Sequence, residues 1–168
     1  MKQNSLKIAR AAMILASALI LGLVENLLPS VVPAVPFIKL GLSNVAVAFA
    51  AIVVGAPYAL LTAILKSVLV PLFVGNPIMI AYSLAGGFAS CIVTVILIYV
   101  KKLSLPFISV LASLTHNFSQ LGVAVLMTGS FAVAAYSPVL LLTGTAAGIV
   151  TGVIIYVAIK YLPEKILK

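Results

Sequence analysis

Aspartate is absent from this chain, and acidic side chains of any kind come down to two, Glu25 and Glu164. There is one cysteine, Cys91, and one histidine, His116. Each scarcity removes a class of chemistry. A single thiol excludes an internal disulfide and a thiolate metal site. One histidine without cysteine or aspartate supplies too few ligands for a metal ion. The same histidine has no aspartate to orient it, which leaves nucleophilic catalysis without its base pair. No G-x-x-x-x-G-K phosphate loop occurs, so the chain does not hydrolyse ATP by itself. No cofactor, no metal and no catalytic residue is expected.

What is present is hydrocarbon. Of 168 residues, 64% are apolar and 7% are charged, with a mean hydropathy of +1.36. No soluble domain of this length buries that much apolar surface, so the surrounding solvent is lipid. A net charge of +8 is compatible with nucleic acid, but the basic residues are scattered over segment ends. There they read as topology determinants beside anionic headgroups, and no nucleic acid partner is expected. Lys2, Lys7 and Arg10 before an apolar run resemble a signal peptide. The run continues to about Leu28 with neither a polar c-region nor an Ala-x-Ala cleavage site, which makes it a retained span. No repeat and no long linker interrupts the chain, so residues 1–168 are read as a single membrane domain.

Apolar runs and turn signals divide the chain into spans of about 8–28, 42–54, 58–74, 78–100, 106–129 and 138–159. Gly55-Ala-Pro57 and Gly75-Asn-Pro77 mark turns, and Pro29, Pro33 and Pro36 deny a helix between the first two spans. The second run has roughly 13 residues, short of the ~20 that a perpendicular crossing needs. It is either a re-entrant hairpin, leaving five crossings, or a short span completed by residues 39–43. With six crossings, Lys2, Lys7, Arg10, Lys101, Lys102, Lys160, Lys165 and Lys168 fall on one side, which the positive-inside rule makes cytoplasmic. The expectation is therefore an all-α, multi-pass protein of the cytoplasmic (inner) membrane, with six transmembrane helices and both termini cytoplasmic.

The residues that hydrocarbon tolerates least are the informative ones. Ser113, His116, Asn117 and Gln120 fall at i, i+3, i+4 and i+7, on one face of the fifth span. Lys66 lies in the middle of the third, where insertion costs about 2.5–3.5 kcal/mol. Glu25, Asn26, Lys39 and Asn44 come at the external ends of the first two. Polar residues of four spans thus converge on one outward-facing region, the pattern of a pocket. Each has a plainer reading beside this one. The stripe is also suited to hydrogen-bonding between helices, Glu25 to a structural ion pair with Lys66, and Lys39 to lipid phosphates. Gly144, Gly148 and Gly152 make two G-x-x-x-G steps, a close-packing face.

Three ordered elements carry a family resemblance: Lys39-Leu-Gly-Leu-Ser-Asn44 entering an apolar helix, Leu84-Ala-Gly86-Gly87 in the fourth span, and His116-Asn117-Phe-Ser-Gln120 in the fifth. Together they resemble the membrane family called heptaprenyl diphosphate synthase component I, also labelled the Gx transporter family. That family is similar in turn to the S-components of energy-coupling factor (ECF) transporters. The resemblance implies an S-component-like bundle that takes up substrate on the outer side, docked on a coupling transmembrane subunit with two cytoplasmic ATPases. It implies substrate contacts at Lys39, Asn44, Lys66, His116, Asn117 and Gln120, with Glu25 setting the charge of Lys66. It assigns docking to Ala12 and Ala16, and the gate to the proline segment with Lys39. Prenyl-chain elongation needs aspartate-rich segments that hold Mg²⁺ on a diphosphate. A chain without aspartate cannot supply them and is not expected to be that enzyme.

Three functions are compatible with these residues. The first is a substrate-binding subunit for a small anionic or amphipathic molecule, of the vitamin or isoprenoid precursor type. The second is a non-catalytic membrane anchor for a soluble prenyl synthase, contacted through Lys101, Lys102 and the tail from Lys160 to Lys168. The third is a self-sufficient proton-coupled carrier using Glu25 and His116.

Overall fold

A computed structural model describes residues 2–30, 38–100 and 103–163. The proline segment from 31 to 37, the Lys101–Lys102 pair and the tail from Glu164 therefore lie outside the described residues, and with them most of the expected gate and anchor surface. The apolar runs become helices in chain order: α1 (Lys2–Leu27), α2 (Asn44–Val53), α3 (Ala56–Val74), α4 (Met79–Val100), α5 (Leu105–Thr128) and α6 (Ser137–Lys160). A 3₁₀ turn, Phe131–Tyr136, leads into α6. No strand occurs among the described residues. Five of the helices, all but α2, are long and apolar enough to cross a membrane.

Turn chemistry explains most boundaries. Pro57, Pro106 and Pro138 sit in the first turns of α3, α5 and α6, where a missing amide is harmless. Gly75 (φ +76°) and Gly129 (φ +63°) end α3 and α5 in left-handed caps.

α2 departs from the expected 42–54 span. It has 10 residues, roughly 15 Å of helix against a hydrocarbon core of about 30 Å. Ala46, Val47, Ala48, Ala50 and Ala51 are all buried, and their small side chains let α2 pack against α1, α3, α4 and α6. Ahead of it, residues 38–43 are not helical, although Ile38, Gly41 and Ser43 are buried. Gly41 has φ +81°, a conformation that breaks the helix before Asn44.

Glycines set the other close contact. A Cβ at Gly148 or Gly152 would lie 2.5 Å from Val110 Cα or 2.4 Å from Pro106 Cα, so α6 rests backbone to backbone on α5. Two apolar clusters occupy the interior. One joins α1, α2, α3 and α4 around Ile14, Ala18, Val47, Ala50, Ala63 and Cys91. The other joins Ile38, Tyr82, Leu121, Ala124 and Leu140.

Candidate functional site

Between these clusters lies a polar layer, and the chain order shows why. Moving from Ile38 to Ala46, the chain passes Lys39, Gly41, Ser43 and Asn44. Moving from Tyr82 to Cys91, it passes Ser83, Gly86 and Gly87. Lys66 and Ser67 come after Ala63 in α3, and His116 and Gln120 precede Leu121 in α5. In this layer Glu25, Ser43, Lys66, His116, Asn117 and Gln120 are all buried.

All but one of its hydrogen bonds form a connected line. Lys66 Nζ donates to Ser43 Oγ (2.8 Å) and to Asn44 Oδ1 (2.6 Å). Asn44 Nδ2 lies 3.1 Å from His116 Nδ1, and Gln120 Nε2 lies 3.0 Å from His116 Nε2. The backbone amide of Lys39 donates to Gln120 Oε1 (2.9 Å), and that of Gly41 donates to Glu25 Oε1. Two side chains from α1 and α5 thereby satisfy the irregular segment 38–43. Non-helical backbone in an apolar setting is tolerated only where protein groups satisfy it in this way.

Space is made by glycine. A Cβ on Gly86 would stand 2.8 Å from the His116 ring, and one on Gly87 would stand 2.6 Å from Ser67 Oγ. Ser67 Oγ in turn donates to the Ser83 carbonyl (2.9 Å), tying α3 to α4.

A hollow of about 30 Å³ opens against this set, lined among others by Glu25, Lys39, Lys66, Ser83, His116 and Gln120. That volume holds about two waters and no larger molecule, so the arrangement is closed. A second hollow of about 20 Å³ lies on the other side of Gly41 and Asn44, edged by Thr94, Ser109, Ser113 and Thr151. Ser113 Oγ is buried there without a partner among the described residues. A larger hollow of about 460 Å³ between α1, α2 and Leu162 is mostly apolar and shares no lining residue with the hollow beside Lys66.

Of the sequence-derived candidates, Glu25, Lys39, Asn44, Lys66, His116 and Gln120 come together. Asn117 turns elsewhere: its Nδ2 donates to the Leu140 carbonyl of α6 (3.2 Å), its Oδ1 is buried without a partner among the described residues, and Gly144 leaves room for it. Glu25 and Lys66 share the hollow but form no ion pair among the described residues. Ala12 and Ala16 are exposed on α1, and Ala12 edges an apolar groove of about 250 Å³ against α3. Ser43, Gly86 and Ser67 escaped sequence reasoning as participants. Gly86 carried the only usable signal, as half of a glycine pair inside an apolar helix.

A family model described as heptaprenyl diphosphate synthase component I matches residues 14–157. No curated protein matches the chain.

Proposed function

The chain belongs to the heptaprenyl diphosphate synthase component I family, and from that premise we propose that it is the substrate-binding S subunit of an ECF-type transporter. In this reading it crosses the cytoplasmic membrane six times with both termini inside, α2 and residues 38–43 together making the second crossing. It captures a small anionic or amphipathic molecule from outside. Partner ATPases supply the energy, through a coupling subunit that meets α1 at Ala12 and Ala16. The observation that carries the proposal is the buried polar layer. Charged and polar residues from α1, α3, α5 and the segment before α2 face one hollow, and in a lipid-embedded chain such groups mark a substrate pathway by default. The face of α1 carrying Ala12 and Ala16 is exposed, as a docking helix requires. Purification of the tagged chain from its native membrane tests this. Two ATPases and a coupling protein are expected to co-purify, and their consistent loss in mild detergent argues against the role.

A second reading is favoured by the family description itself, which names a synthase component. Here the chain is a non-catalytic membrane partner of a prenyl diphosphate synthase. The absence of aspartate keeps the Mg²⁺-dependent chemistry on that partner. Loss of quinone side chains on deletion, without loss of any uptake, distinguishes it from the first.

A further inference from the structure

The line of side-chain contacts through the polar layer is short of one hydrogen-bond acceptor, with the Gly86 carbonyl standing beside it against the His116 ring. The line runs from the Lys66 ammonium through Asn44, His116 and Gln120 to the Lys39 backbone amide. Both ends of that line only donate. Each of the three residues between them has one donating and one accepting end, the amides by their N and O and neutral imidazole by its two nitrogens. Starting from Lys66, Asn44 accepts and then donates to His116, which donates onward to Gln120. The amide nitrogen of Gln120 is then turned against the amide of Lys39. Flipping either carboxamide or changing the tautomer moves this donor-against-donor contact along the line without removing it. A protonated His116 would create two such contacts. One link of the four is therefore always unmade.

The Lys66 ammonium points the same way. It is buried with Glu25 on the same hollow, yet the two form no ion pair among the described residues. Its third N–H has no acceptor among the described residues.

Resting on the substrate-binding reading above, we infer that the site is completed by a ligand oxygen that accepts hydrogen bonds and donates none, that of a carboxylate or phosphate group. Such an oxygen takes a donor that the line cannot satisfy and meets the buried Lys66 ammonium with negative charge. A hydroxyl or amide head group brings a further donor together with its acceptor and no charge to meet the Lys66 ammonium, and an ammonium brings donors alone. The closed hollow is too small for the ligand, so entry requires the Lys39–Gln120 bond to open. That is also the contact an incoming acceptor makes dispensable.

The test uses the full chain in phosphatidylcholine nanodiscs, unfolded by heat with sodium phosphate, sodium acetate or uncharged acetamide at constant ionic strength. Phosphate or acetate is expected to raise the unfolding temperature by a few degrees, and acetamide to leave it unchanged. Gln120→Glu supplies the missing acceptor from within and is expected to abolish that rise. Asn44→Asp does the same from the other side of His116 and serves if the first variant fails to fold. If neither folds, the comparison of probes on the unaltered chain decides alone. A rise with phosphatidylglycerol in the disc, but with neither soluble anion, keeps the acceptor and assigns it to a lipid headgroup, which removes capture of a soluble substrate. An equal response to acetamide, or none to any of the anions, overturns the inference. Failure to recover ATPases in a pull-down would leave this result untouched.

Discussion

The backbone amide of Lys39 donates to the side chain of Gln120 at 2.9 Å, across 81 positions of sequence. This one bond joins the irregular entry to α2 with the polar face of α5. Gln120→Leu leaves the amide buried and unpaired, at a cost of about 1–3 kcal/mol. Hydrogen exchange at Lys39 is expected to accelerate at least tenfold, with α6 unaffected. Unchanged exchange would mean that the segment is held by packing of Ile38 alone.

Glu25 does two separable things: it accepts the Gly41 amide, and it places a negative charge in the hollow. Glu25→Gln keeps an acceptor and removes the charge, so the segment stays ordered. Phosphate should then bind at least threefold more tightly, about 0.6 kcal/mol. Glu25→Leu removes both, and exchange at Gly41 rises. Equal behaviour of the two variants would show that charge plays no part.

Gly86 and Gly122 are both helical, but only one is crowded. An added Cβ at Gly86 lies 2.8 Å from His116, whereas at Gly122 it meets nothing within 4 Å. Gly86→Ala is expected to displace the ring and lower stability by about 1–3 kcal/mol. Gly122→Ala should be neutral or stabilising by up to about 1 kcal/mol. Thermal unfolding of the two purified variants checks the difference in sign.

The contact of α6 with α5 gives a stricter case, because the obstacle is backbone. At Gly152 the added Cβ would stand 2.4 Å from Pro106 Cα, and neither helix can yield without separating. Gly152→Ala is expected to lower the yield of folded protein sharply, with a loss of at least about 2 kcal/mol. A fully stable variant would show that α5 and α6 slide freely.

Much of this arrangement is legible in the sequence, for definable reasons. The Gly–Pro turns and unbroken apolar runs place α3, α4, α5 and α6 within two residues of their observed ends. α1 starts earlier than its apolar run, at Lys2, because hydropathy is blind to a helix that continues through polar residues. The early part of the second span is irregular because Gly41 takes a left-handed conformation, held by groups 16 and 81 residues distant. No local pattern records such partners. The same limit applies to the polar stripe of α5. Its spacing brings four residues to one face, yet that face is wide enough to touch two neighbours. His116 and Gln120 meet the segment before α2, while Asn117 meets α6. A lysine in an apolar span invites the expectation of a carboxylate partner. Lys66 is held instead by the neutral oxygens of Ser43 and Asn44, and Ser43 announces nothing in the sequence.

That neutral cradle makes Lys66 the decisive residue. Removing one member of a buried ion pair strands its partner and costs about 3–5 kcal/mol. Lys66 makes no ion-pair contact among the described residues, so Lys66→Met strands two neutral acceptors and removes only a longer-range attraction to the Glu25 carboxylate. Relief from burying an ammonium works in the opposite direction, and the net change in stability is expected to stay within about 1 kcal/mol. Binding should respond quite differently, since truncating a buried charge that meets a charged ligand costs about 2–5 kcal/mol. Small molecules retained by the purified chain, counted by mass spectrometry per mole of protein, should fall at least tenfold in Lys66→Met. The unfolding temperature meanwhile stays near that of the unaltered chain. Retention at the original level by the folded variant would remove Lys66 from the site, and with it the reason for reading the hollow as a place for substrate. A collapse of the unfolding temperature would instead make Lys66 a structural lysine whose cradle holds residues 38–43 in place.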